Sequence, residues 1–164
     1  CLVGSEMCIR DSIDGMVIVT TPQDVALLDS RKSITFSESL KVPVLGVVEN
    51  MSGYTIAGLT TPETSVEVAG PGGKKHRVTS DKDGKFSVTL DIFKQGGGKS
   101  TADEFGVPFL GELPFDPGFV RGGDDGVHRI VSEPDGASAI AFAKVVEAIK
   151  SQIGTSNNQG LEII

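Results

Sequence analysis

Two kinds of hydrophobic pattern alternate along this chain. Residues 15–20, Gly-Met-Val-Ile-Val-Thr, and residues 42–48, Val-Pro-Val-Leu-Gly-Val-Val, are apolar runs without the alternation of a half-exposed strand. Such runs suit strands buried on both faces of a parallel sheet. Between them, Thr21-Pro22-Gln23-Asp24 carries the chemistry of a helix start. Thr21 can cap, Pro22 suits the first helical position, and Asp24 sits where a capping box wants an acid. The helix this predicts runs to about Ser37, with Val25, Leu27 and Leu28 available to its inner face. Strand, helix and strand in this order form a βαβ unit, whose crossover is right-handed.

After Glu49-Asn50-Met51 the texture changes. Ser65–Ala69 and Lys85–Leu90 alternate polar with apolar, Arg77-Val78-Thr79 continues the pattern, and Pro71-Gly72-Gly73 and Asp81–Gly84 supply turns. Period-two strands joined by turn chemistry predict an antiparallel meander. Residues 53–91 are therefore read as a small β insertion.

The first texture then resumes. Lys99–Phe105 predicts a short helix closed by Gly106, Val107–Leu113 a third buried strand, and 114–127 a loop rich in Gly and Asp. Ser138–Ile153 is the clearest helix, with Phe142, Val145, Val146, Ile149 and Ile153 on one stripe. Residues 154–164 read as a frayed tail. The pattern gives an α/β protein: a parallel sheet with helices on both faces, formed by residues 13–52 and 92–153 and interrupted by the insertion.

Composition narrows the function. A chain of 164 residues holds one medium domain, or one domain plus a small insertion. Its net charge of −7 argues against nucleic acid as a partner, since phosphates call for a basic stripe. No apolar run approaches a membrane span, so a cytoplasmic protein without a membrane partner is expected. Both cysteines, Cys1 and Cys8, lie in the opening CLVGSEMCIRDS. That stretch resembles translated sequencing-adapter sequence, so residues 1–12 are set aside from the fold. With them go a disulfide framework, a cysteine metal site and a thiol nucleophile.

GGGKST, residues 96–101, poses the sharpest chemical question. A phosphate loop of the G-x-x-x-x-G-K-[ST] kind curls glycine N–H groups around phosphate oxygens, with Lys reaching the outer phosphates. Counting back from Gly98-Lys99-Ser100, its first glycine should be residue 93, which is Phe. The glycines then simply let the chain turn into a helix. Other candidates have equally plain readings. Asp81-Lys82-Asp83-Gly84 lacks calcium-loop spacing and reads as a hairpin turn. His76 and His128 have no second ligand nearby. Asp116, Asp124 and Asp125 follow the third strand, on the side where open α/β sheets bind ligands, or are solvated turn formers.

Several stretches carry more than pattern: IDGMVIVTTPQDVALLDSRK, VPVLGVVENMSGY, GGGKSTADEFGVPFLGELPFDPG and the following RGGDDG. Together they resemble the C-terminal half of Mrp/ApbC-type ATPases, MinD-like P-loop NTPases associated with iron–sulfur cluster assembly. The resemblance covers residues 13–52 and 92 to about 152. It implies a P-loop NTPase-like sheet, ATP and Mg as cofactors, and a homodimer. It also places the family's phosphate loop upstream of Ile13, so that GGGKST is not that loop, this chain is a fragment, and the piece is inactive alone. By the same resemblance Asn50 contacts adenine, with donor and acceptor both offered to the base edge. Pro114 and Asp116 match the loop closing over base and ribose, and Thr21, Pro22 and Gln23 match a segment near the phosphates and the dimer interface. One departure stands out. Relatives carry Cys-x-x-Cys shortly after the ENMS stretch, where residues 53–91 stand here without cysteine. A 4Fe-4S cluster is therefore in doubt, since thiolates are its ordinary ligands. The insertion resembles small immunoglobulin-like or adhesin-type repeats, which suggests a protein partner there or a tolerated loop extension. A non-catalytic interaction module and a MinD/ParA-type positioning ATPase are the alternative functions.

Overall fold

A computed structural model describes residues 13–156. The adapter-like opening and most of the expected tail lie outside them. In chain order the elements are β1 (Met16–Thr20), α1 (Asp24–Ser39), β2 (Val44–Leu59), β3 (Ser65–Ala69), β4 (Lys75–Thr79), β5 (Lys85–Leu90), α2 (Gly97–Phe105), β6 (Phe109–Phe115), α3 (Pro117–Asp125), α4 (Arg129–Ser132) and α5 (Ala137–Ser156).

β2 is the centre of the sheet. Its first half pairs in parallel with β1, Ile18 opposite Val47, and with β6, Val48 opposite Gly111. Successive residues on these strands face opposite sides, and both sides are covered. Ile18, Ile34, Val47 and Ala102 form one buried cluster, to which α1 and α2 contribute. Val48, Leu110 and Val145 form the other, under α5. Two covered faces are why these strands read as continuous apolar runs. Burying a side chain such as Ile34 or Val47 completely stabilises by about 1.5–3 kcal/mol each.

Three expectations are revised. The first helix begins at Asp24 with Gln23 as its N-cap, so Thr21 does not cap it and Pro22 stands before it. Its inner face is Leu27, Ser30, Ile34 and Ser37, while Val25 and Leu28 are 75% and 54% exposed. The serines disguised this stripe: Ser30 and Ser37 donate to the carbonyls of Ala26 and Ser33, which lets them be buried. The expected loop 114–127 contains the nine-residue α3. Asp116 caps it, Pro117 opens it, and Gly126 closes it at φ +69°. Its glycines 118, 122 and 123 hid a helix whose ends have favourable cap chemistry.

The third revision concerns the insertion. β3 and β4 form a separate two-stranded antiparallel hairpin, but β5 pairs antiparallel with the second half of β2, from Tyr54–Leu90 to Leu59–Lys85. β2 thus runs without a break from the parallel core into the insertion. Between its pairings Asn50–Leu113 and Tyr54–Phe115, β2 holds two more residues than β6. The excess is absorbed as a bulge in which Met51 takes a left-handed φ of +58°.

Candidate functional site

The glycine turn before α2 does bind an anion, and the anion belongs to the chain. Glu49 is fully buried in β2. Its Oε2 accepts from the Gly98 N–H at 2.6 Å and its Oε1 from the Gly96 N–H at 3.2 Å. A carboxylate at a helix N-terminus meets unpaired N–H groups and the positive end of the dipole. Gly98 is needed for this approach, because a Cβ there would lie 2.9 Å from the Glu49 Cβ. Lys99 points elsewhere: it pairs with Asp103 one turn along α2, both side chains mostly exposed. GGGKST therefore cradles Glu49. A lone acid in an apolar strand was the sequence signal for such a partner.

Asn50 follows Glu49, the last residue of β2 paired with β1, and starts the bulge in the pairing with β6. Its Oδ1 accepts from the Met51 N–H at 2.9 Å. The acceptor half of the amide is thus engaged locally. Two cavities meet at this residue. One, of about 290 Å³, is lined by Asn50 with Thr20, Thr21, Ala26, Ser30 and Ser33. The other, of about 250 Å³, is lined by Asn50, Leu113, Pro114, Asp116, Phe119 and Phe142. Phe119 and Phe142 pack with ring centroids 6.3 Å apart. Asn50, Pro114 and Asp116 are accordingly brought together, and Thr21 reaches Asn50 from the other side. Pro22 and Gln23 line neither cavity: Pro22 is buried and Gln23 is exposed.

Asp116 is 18% exposed and serves several elements at once. Oδ1 accepts from the Gly118 N–H at 2.7 Å, and Oδ2 from the Arg129 Nε at 3.3 Å. Burial alone would push its carboxyl up. The Gly118 N–H, the Ser138 hydroxyl and the Arg129 guanidinium together outweigh that and hold it below the ordinary carboxylate value. Beyond Asp116 a polar cleft of about 700 Å³ opens between the far half of β2, with Tyr54 and Thr55, and helices α3 to α5. Asp125 lines this cleft, while Asp124 is exposed. Asp81 does make a turn, its Oδ1 accepting from the Asp83 and Lys85 N–H groups.

The family of P-loop NTPases described as ParA, the NUBPL iron-transfer type, matches residues 5–80 and 76–150. The chain belongs to this family. Over 147 residues it is 35% identical to the cytosolic Fe-S cluster assembly factor NBP35 of Eremothecium gossypii, covering 88% of this chain and 36% of that protein. The NBP35 of Kluyveromyces lactis is likewise 35% identical over 145 residues, covering 88% and 37%. The chain thus spans little more than a third of the length of these relatives. The cell division ATPase MinD of Pyrococcus furiosus shares the fold, with a TM-score of 0.52 at 22% identity over 84% of this chain and 43% of that one. The septum site-determining protein MinD of Pyrococcus horikoshii, complexed with Mg-ADP, gives 0.52 at 19% identity over 92% and 45%.

Two features of this ParA-family chain bear on cofactors. Residues 13–156 contain no cysteine, and no group of three or more metal-ligating side chains occurs among the described residues. Thiolate-held iron–sulfur chemistry does not fit these residues. The Asn50 end combines an amide group, apolar walls and a Phe pair. Among the described residues no helix is long and apolar enough to cross a membrane.

Proposed function

We propose that this chain supplies the base-side wall of the ATP pocket in an iron–sulfur cluster assembly ATPase. The observation that carries the reading is the position of Asn50. It stands just past Glu49, the last residue of the central strand paired with β1, on the carboxyl side where α/β sheets bind ligands, and both small cavities converge on it. In this reading the Asn50 Nδ2 group donates to the base, and Pro114 with the aromatic pair forms the wall. Asp116 shapes the loop through its bonds to the Gly118 N–H, Arg129 and Ser138 rather than by a free carboxylate. Thr21, Pro22 and Gln23 lie toward the phosphates and the contact between two copies of a homodimer. In this reading residues 13–156 supply neither the phosphate loop nor the Mg site.

Phosphoryl transfer depends mostly on positioning and on stabilising charge, which the glycine turn cannot supply while it holds Glu49. A phosphate-release assay should detect no ATP turnover by the 164-residue chain and turnover by a polypeptide of full family length carrying it. Turnover by the chain alone would refute the division of labour.

A second reading concerns the insertion alone. The outward face of the β3–β4 hairpin carries Glu67, Lys75 and Arg77 in ion pairs, and the far half of β2 walls the polar cleft. In this second reading a protein partner docks on that exposed, charged face.

A further inference from the structure

Arg129 stands outside every pattern in the sequence, yet it ties together the elements around Asn50. Its Nε donates to Asp116 Oδ2 at 3.3 Å, and its Nη1 to Glu133 one turn along. The guanidinium lies against the backbone of Gly118: a Cβ on that residue would come within 2.4 Å of Nε and 2.6 Å of Cζ. Its side chain is only 26% exposed. Through Asp116 it is connected to the N-terminus of α3 and, by way of Ser138, to the start of α5. Those elements carry Phe119 and Phe142, the aromatic pair of the Asn50 cavity.

We propose that Arg129 is a positioning residue for the nucleotide pocket, clamping Asp116 from α4 so that loop 114–118 and α3 stay closed against α5. The inference rests on the reading of the Asn50 cavity as the base site. Arg129 touches no ligand in this scheme. It acts by fixing the carboxylate that fixes the loop, and a planar fork suits that task better than an ammonium point charge. Gly118 suits the same geometry, since a Cβ there would force the guanidinium to shift.

The test is a titration of a fluorescent ATP analogue against a polypeptide of full family length carrying these residues, with a melting curve for each variant. Arg129→Ala should weaken binding about tenfold, the scale of losing one charge-assisted hydrogen bond. Asp116→Asn should cause a similar loss, and the double variant little more than either alone, because both break one clamp. Glu133→Ala removes the other ion pair of Arg129 and should leave affinity unchanged. A purely structural Arg129 predicts the opposite pattern: lowered melting temperatures for Arg129→Ala and Glu133→Ala, with affinity intact in both. If Arg129→Ala does not fold, Arg129→Lys decides: a several-fold weakening supports the clamp and wild-type affinity refutes it. Asn50→Ala separates the two levels of the argument. If it weakens binding while Arg129→Ala does not, the clamp alone fails; if neither matters, the base site fails with it.

Discussion

Glu49 and Gly98 are joined by a 2.6 Å hydrogen bond from the Gly98 N–H to the Glu49 carboxylate. The bond closes the N-terminus of α2 with an internal anion and fastens the helix to the central strand. Replacing Glu49 by Ala leaves the Gly98 N–H buried without its partner and removes the acceptor of Gly96. Each buried group left unpaired costs about 1–3 kcal/mol. Glu49→Ala should therefore lower the urea midpoint by an amount worth about 2–4 kcal/mol with the slope unchanged. A loss under 0.5 kcal/mol would show that the turn finds water instead.

Lys99 offers the complementary test. Its pair with Asp103 is exposed and one helical turn apart, a geometry that contributes little. Lys99→Ala should change stability by less than about 0.5 kcal/mol. It should also leave ATP affinity unchanged in a polypeptide of full family length carrying these residues. A phosphate-loop lysine would show a large loss of affinity instead.

The insertion can be shortened where β2 and β5 are already hydrogen-bonded. Removing residues 57–87 and joining Ile56 to Val88, which face each other, through Asn-Gly keeps the Tyr54–Leu90 and Thr55–Thr89 pairs. A two-residue turn of that composition matches the twist of such strands. The shortened protein should stay folded, with a far-ultraviolet spectrum lacking only the hairpin's share. Insoluble protein would mean that β3 and β4 belong to the core.

The α/β core was legible because its signals are dense and local. The apolar runs of β1, β2 and β6 and the stripe of α5 each announce one element. What stayed hidden depends on groups far apart in sequence. Ser30 and Ser37 read as polar but are buried on their own helix's carbonyls. α3 is written in glycine, and only Asp116-Pro117 marks its start. The alternation of the insertion announced its strands but not that β5 would extend the central strand, since pairing partners leave no mark within one strand. At the site, Asn50, Pro114 and Asp116 were legible through family resemblance. Glu49 had a signal in its charge, and Arg129 had none.

Asp116 gives the fold a defined acid response. Its carboxyl is held below the ordinary carboxylate value, so it adds stability that is complete above the ordinary carboxylate range. That stability is lost as pH falls from about 4 through the lowered value. The urea midpoint of the wild type should exceed that of Asp116→Asn at pH 7, and the gap should narrow below pH 4. A gap that is constant with pH would mean that the carboxylate's charge adds nothing to the fold.

The central claim is that Asn50 faces the base of ATP, and one titration addresses it directly. A fluorescent ATP analogue is titrated into the wild-type and Asn50→Ala forms of a polypeptide of full family length, with a melting curve for each. Losing one neutral hydrogen bond costs about 0.5–1.5 kcal/mol, and up to about 3 if a buried group is left unpaired. That range corresponds to binding weaker by a few-fold to about a hundredfold. If Asn50 faces the base, this loss appears with the melting temperature little changed. Unchanged affinity with a lowered melting temperature would contradict it, making Asn50 a bulge residue whose Oδ1 bond to the Met51 N–H is its whole role.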